Sequence, residues 1–223
     1  MIRQQLAATG AAAGQLEAEL AARLKNDDLP LMSNISTDEI TPGWVCFYYD
    51  ETLGHYVYVG MREGAVQKDE VKNGGFAVVV SGLSKGCGSS RETAPYAEKA
   101  AGIRLVIAKS IEKIYGQNSQ NIGLLTSTDF GLIDRIRNRE EIALTEFTKG
   151  LDPISQDIVT HGGLFNYNKA RLAGKVSPPP IATKPRPMTI VEKIIARHAF
   201  VSAGKVGVEA VKPGDALFAV ADV

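Results

Sequence analysis

The spacing of apolar and polar positions divides the chain into several stretches of different character. In residues 11–25, AAAGQLEAELAARLK, Leu16, Leu20 and Leu24 stand at i, i+4 and i+8, the spacing of one face of an amphipathic helix. Such a helix could dock on a partner or cover part of its own domain, and the residues favour neither. Further on, HYVYVGM (55–61) and GGFAVVVSG (74–82) are β-branched and aromatic runs closed by glycine, which predicts strands. A glycine-rich turn, KGCGSSRETAP, leads into YAEKAAG, a predicted helix ending at Gly102. RLVIAKS (104–110) reads as the next strand and IEKIYGQNSQN as a second helix, and Gly123, Leu124 and Leu125 open another strand. The order strand–helix–strand–helix–strand implies an α/β domain with parallel pairing. EIALTEFTK (141–149) alternates apolar and polar residues, as a half-buried strand does.

The prolines of KVSPPPIATKPRP interrupt both periodicities and predict an extended linker. Beyond them Thr189 and Glu192 form a capping-box pair at the head of TIVEKIIARHAF. The tail from Val206 reads as a turn and a strand. So short a unit would be marginal alone, so it is expected to be the opening of a larger domain. The expected organisation is a helical extension over 1–32, a main domain over 33–175, a linker over 176–187 and the start of a further domain over 188–223.

Composition narrows the function classes. Lys and Arg together number 25, as do Asp and Glu, so no net field draws the chain to nucleic acid or to an anionic membrane. No apolar run approaches the ~20 residues that span a bilayer, and Glu17 and Glu19 argue against a transit peptide. Cys46 and Cys87 are the only two cysteines, too few for a disulfide scaffold or for an iron–sulfur cluster. A reducing cytoplasm is the expected location. His55, His161 and His198 lack the spacing of metal ligands.

The candidate chemistry lies at Gly86-Cys87-Gly88-Ser89-Ser90-Arg91-Glu92. These residues put two hydroxyls and a guanidinium where a strand ends and a helix begins. Free N–H groups there favour a bound carboxylate or a developing oxyanion. Arg91 could grip a carboxylate in a bidentate fork. The plain alternative is that Ser89 or Ser90 caps the helix while the glycines make the turn.

The stretch from Gly74 to Leu125 resembles the small subunit of 3-isopropylmalate dehydratases and the swivel domain of aconitases. The resemblance rests on GxGSSRE between a strand and a helix, and on Asn118, Asn121, Gly123, Leu124 and Leu125 closing the second helix. Upstream, Asn34 to Pro42 is similar to the family's N-x-x-T-D-x-I-x-P opening. MTIVEKIIARH with VKPGD is similar to the start of the family's large subunit.

The resemblance implies a swivelling β/β/α barrel-like α/β domain of a hydro-lyase acting on a hydroxy di- or tricarboxylate such as 3-isopropylmalate. It implies a [4Fe–4S] cluster held by a large aconitase-like domain or subunit absent from this chain, which by itself would then be inactive. By position Ser89 is the base that takes a proton from carbon, Ser90 and Arg91 bind substrate carboxylates, and Asp38 lines the site. Family members often carry a Tyr-Leu-Arg-like segment after the opening motif, where this chain has Gly43, Trp44, Val45, Cys46 and Phe47. Arg62 is the candidate for the missing charge, or else a solvated loop residue. Substrate identity stays open. A serine hydrolase would need a G-x-S-x-G elbow that is absent here, and a P-loop would need a lysine after its glycines. A non-catalytic docking or regulatory domain is the remaining rival.

Overall fold

The computed structural model describes residues 31–222 apart from residue 90. The helix predicted over 11–25 and Ser90 therefore lie outside the described residues. Packing divides the chain into two compact units between Ala143 and Leu144.

The first unit opens with the short helix α1 (Thr37–Ile40), whose N-cap Ser36 forms a capping box with Glu39. Helix α2 (Glu70–Gly74) follows, then strand β1 (Val78–Ser81), helix α3 (Thr93–Ala100), strand β2 (Leu105–Ala108), helix α4 (Lys113–Ile122), strand β3 (Leu125–Ser127) and helix α5 (Gly131–Arg137). The sheet order is β1-β2-β3, parallel throughout, with Leu105 opposite Val78 on one side and Leu125 on the other. This is the α/β order that the sequence predicts. All four residues of β2 are buried, as expected of a strand covered on both faces.

Ile35, Ile40, Leu53, Val57, Ile103, Val106 and Leu124 are among the core residues, and each buried aliphatic side chain contributes about 1.5–3 kcal/mol. Helix α3 turns Ala94, Ala97 and Ala101 inward, the i, i+3, i+7 stripe of an amphipathic helix. Its small residues let Gly54 approach closely: a Cβ there would stand 2.5 Å from the Ala100 carbonyl carbon.

Two predicted strands are corrected. Residues 55–61 do not extend: a 3-10 turn, Glu51–His55, is capped by the Asp50 carboxylate, which accepts from the Thr52 amide. Tyr58 then sits in the left-handed region at φ 67°, and Val57, Tyr58 and Met61 are buried from this turn. The alternation in 141–149 is too short to specify a strand, and Leu144–Phe147 forms a 3-10 turn.

The second unit contains α6 (Pro153–Thr160), α7 (Leu164–Leu172), α8 (Ile190–His198) and the hairpin of β4 (Phe200–Ser202) with β5 (Lys205–Val206). The strand expected after the turn of the tail is reduced to an isolated antiparallel bridge of Ala219 with Ala199, where the Phe200 amide donates to the Phe218 carbonyl at 2.7 Å and the Val220 amide to the His198 carbonyl at 2.8 Å. Asp152 caps α6 by accepting from the Ile154 and Ser155 amides, with proline in the first turn. Ile154, Ile158 and Tyr167 form its core, with Val176 and Phe218 packed against them. The division at Ala143 differs from the expected boundaries. The proline-rich stretch is extended but anchored, because Thr183 donates to Asp215 at 2.6 Å and Arg186 to the Val211 carbonyl at 2.9 Å. Proline removes backbone donors but leaves side-chain anchors intact.

The expected capping box at Thr189 and Glu192 forms, and Arg186 adds a 2.8 Å ion pair to Glu192. The Arg186 side chain is the leading cause that holds the Glu192 carboxyl down to about 2, followed by the Thr189 backbone and hydroxyl. A carboxyl lowered by folding stabilises the fold above its ordinary value of 4.5, and that contribution is lost as pH falls towards about 2. We expect α8 to lose amide-exchange protection across this window. Glu192→Gln should weaken protection at neutral pH and flatten the profile between the two values.

Candidate active site

The 86–91 loop follows the carboxyl end of β1 and is tied to the segment carrying Asp38. The Gly86 and Cys87 amides donate to the Ile35 carbonyl at 2.8 and 3.2 Å, and the Thr37 amide donates to the Cys87 carbonyl at 2.9 Å. Thr37 Oγ1 donates to the Ser89 carbonyl at 2.6 Å and lies 3.4 Å from Ser89 Oγ. Ser89 itself is exposed. Gly86, at φ +81°, leaves no room for a side chain, since a Cβ would stand 2.2 Å from the Tyr115 ring. Gly60 likewise admits the Asp38 carbonyl, which a Cβ would meet at 2.2 Å.

Arg91 is held by the same segment. Its Nη2 pairs with Asp38 Oδ1 at 2.7 Å, and its Nη1 donates to the Thr41 carbonyl at 2.9 Å. Cys46 Sγ lies 3.9 Å from Nη1. The Asp38 side chain is 58% exposed, and pairs this open to water are worth about 0–1 kcal/mol. A second carboxylate could therefore replace Asp38 on the guanidinium at little cost. Ser36, not Asp38, caps α1, which leaves the Asp38 carboxylate available to Arg91.

Ser89 and Arg91 line one cleft of about 300 Å³, along with Thr37, Gly86, Gly88 and Tyr115. Its far wall is the start of α4, where Glu112, Lys113 and Ile114 also line it. Glu112 is the N-cap and makes no side-chain cap hydrogen bond, so the positive end of α4 is open towards the cleft. The sequence points instead to the helix that follows the loop. That helix, α3, begins only at Thr93, and its N-cap is Glu92. Arg62 lies exposed on the 3-10 turn Arg62–Gly64 and lines neither this cleft nor a second one that Arg91 also lines. The structure therefore brings together Ser89, Arg91 and Asp38 but leaves Arg62 apart.

A model of the aconitase C-terminal domain matches residues 62–128. The 3-isopropylmalate dehydratase small subunit of Thermodesulfovibrio yellowstonii is 36% identical over 155 residues, 63% of this chain and 90% of that protein. The methanogen homoaconitase small subunit of Methanocaldococcus jannaschii is 36% identical over 154 residues, covering 62% and 86%. A solved structure of 3-isopropylmalate dehydratase from the same organism is 30% identical with a TM-score of 0.48, covering 66% of this chain and 93% of that one. The chain belongs to the aconitase family. It carries the swivel domain of an aconitase-type hydro-lyase.

This swivel domain does not have the donors for an iron–sulfur cluster. The whole sequence has two cysteines, short of the usual thiolate set. Among the described residues no group of three or more His, Cys, Asp or Glu side chains could hold a metal ion. Cys46 Sγ is in contact with the Thr41 and Pro42 carbonyls and the Thr93 hydroxyl. None of the described helices is long and apolar enough to cross a membrane.

Under the cleft of the swivel domain lies a set of residues that the sequence reading missed. Lys85 Nζ pairs with Glu98 Oε1 at 2.9 Å, and both side chains are 0% exposed. The Tyr58 and Tyr115 hydroxyls both donate to the Glu98 carboxylate. Burial lowers the Lys85 ammonium against the pull of Glu98. It also pushes both tyrosines well above their usual range, with Glu98 adding to the effect. One signal was available: Glu98 lies on the buried stripe of α3 between Ala94 and Ala101, where a charge requires a partner.

Gly86→Ala tests the close approach. The new methyl would meet the Tyr115 ring at a positive φ, so we expect a loss of about 1–3 kcal/mol from overpacking, and more from the backbone. Chemical denaturation reads this loss, and Gly43→Ala, where nothing lies within 4 Å of the added methyl, should be near neutral.

Proposed function

We propose that the chain is the swivel half of a dehydratase that moves water across a C–C bond of a hydroxy di- or tricarboxylate, with 3-isopropylmalate as the leading substrate. One observation carries the reading: Ser89, Arg91 and the open start of α4 line a single cleft. The names of its relatives, a 3-isopropylmalate dehydratase and a homoaconitase small subunit, support the substrate class.

In this reading the 86–91 loop faces a large aconitase-like partner that carries the [4Fe–4S] cluster. The cluster, when bound there, supplies a Lewis acid for the substrate hydroxyl. This chain does the rest of the work at its own atoms. Arg91 takes a substrate carboxylate in its fork, exchanging Asp38 for it. Ser90 adds a second donor to the substrate carboxylates. Ser89 Oγ removes the proton from carbon. A serine hydroxyl is a weak base in water, so closure of the cleft must strip solvent from it while Arg91 and the α4 terminus favour the oxyanion. Asp38 keeps the guanidinium aimed between turnovers. Arg62 is not needed for this chemistry. Trp44 and Phe47, both exposed and next to Cys46, could meet the apolar branch of an isopropyl-bearing substrate. We also propose a cytoplasmic location, where the two free cysteines would stay reduced, and keep residues 33–175 as the extent of the swivel domain.

The deciding experiment assays 3-isopropylmalate, homoaconitate and citrate with the chain alone and with a cluster-bearing large subunit. Turnover only in the presence of that subunit, with isopropylmalate preferred, is expected. Robust turnover by the chain alone would end the reading.

Substitutions separate the roles. Ser89→Ala should lower kcat about 10²–10⁴-fold with little change in KM; equal losses in both would make Ser89 a binding group. Arg91→Lys should mainly raise KM, because an ammonium cannot reproduce the fork.

A further inference from the structure

We propose that the buried Lys85–Glu98 pair, together with the Tyr58 and Tyr115 hydroxyls, is a positioning device that fixes the 86–91 loop in its orientation at the cleft. The proposal rests on the reading of that loop as the reactive segment, but its geometric part can be tested without substrate.

The four side chains come from four segments: the turn at 56–61, the loop after β1, helix α3 and helix α4. Lys85, Glu98 and Tyr58 close a ring of hydrogen bonds, and Tyr115 joins it through Glu98. Glu98 Oε1 accepts from Lys85 at 2.9 Å and also from the Tyr58 hydroxyl, while Oε2 accepts from Tyr115. Lys85 Nζ donates to the Tyr58 hydroxyl at 2.6 Å. The ammonium also stands 4.6 Å from the centre of the Tyr58 ring and 5.4 Å from that of Tyr115, within cation–π range. Because burial pushes both tyrosines up, their hydroxyls remain donors throughout the neutral range.

Stability alone does not account for such a ring. A buried ion pair is often no more stabilising than apolar side chains of similar volume. What apolar packing lacks is direction, and direction is what a short loop at a reactive cleft needs. Lys85 immediately precedes Gly86. Its amide donates to the Ser110 carbonyl at 3.0 Å and its carbonyl accepts from the Glu112 amide at 2.9 Å, so backbone and side chain are both fixed. The Tyr115 ring fills the space where a Gly86 side chain would be and lines the cleft beside Ser89. Its hydroxyl, bound to Glu98, keeps that ring from swinging. Tyr58 holds a left-handed backbone at φ 67°, a conformation that costs a bulky residue energy and persists where surrounding contacts enforce it.

The test uses the full chain. Lys85→Met and Glu98→Leu combined with Tyr58→Phe and Tyr115→Phe replace the network by apolar volume and leave neither a charge nor a buried hydroxyl without a partner. We expect a melting temperature within a few degrees of wild type, with amide exchange in 85–91 at least tenfold faster and exchange in β1, β2 and β3 unchanged. Tyr115→Phe, which removes one hydroxyl and keeps the ring, should accelerate exchange in the same loop by a smaller factor. In the enzyme assembled with a cluster-bearing large subunit, the four-site variant should lose at least tenfold in kcat/KM. Unchanged loop exchange in both variants overturns the proposal. So does a uniform rise across the sheet, which would make the ring a stability element only. If the four-site variant does not fold, Tyr115→Phe decides: loop-confined acceleration supports the device, and its absence overturns it. Exchange is read without substrate, so failure of the hydro-lyase reading would appear separately, as absent turnover in the wild-type assembly.

Discussion

A lysine and a glutamate with no exposure to water cannot be left apart, because removing one partner of a buried pair costs about 3–5 kcal/mol. Lys85 and Glu98 are such a pair, and four segments must arrive together to complete their coordination. The turn at 56–61 abandons the extended form its residues prefer and puts Tyr58 into the left-handed region. Helix α3 gives one position of its alanine stripe to a carboxylate. Helix α4 places a tyrosine ring where Gly86 has no side chain. Each local choice follows from satisfying one buried carboxylate.

The site sits where a parallel sheet tends to place one. All three strands run in the same direction, so the loops after β1 and β2 emerge at the same edge. The Lys85 and Glu112 backbone bonds stitch those two loops together. Ligands in open α/β sheets bind beyond the carboxyl ends of the strands, and here that edge carries Ser89, Arg91 and the start of α4. The cleft is made by topology first and by residue chemistry second.

The electrostatics of the site are arranged for exchange. Arg91 is already paired, but to an exposed carboxylate on a four-residue helix anchored by its own capping box. A strongly buried partner would have made the guanidinium unavailable, and no partner would have left it free to wander. Water on the Asp38 side keeps the pair weak while the Thr41 carbonyl keeps the guanidinium aimed.

The sequence by itself determined the strand–helix order from residue 74 to 127, the capping box at Thr189, the loop bearing Ser89 and Arg91, and the family. These are signalled locally, by periodicities of two and 3.6, by glycine and cap chemistry, and by a contiguous motif. The tertiary structure alone decided that 55–61 and 141–149 turn rather than extend, that α4 and not α3 points its start at the cleft, and that Arg62 stands away from it. It also decided that Lys85, Glu98, Tyr58 and Tyr115 meet. The meeting of those four depends on contacts between residues 13 to 40 positions apart, such as Tyr58 with Glu98 and Lys85 with Glu98. Such contacts leave no periodic trace along the chain. Only folding brings such residues together, and the cost of burying a charge then fixes how they meet.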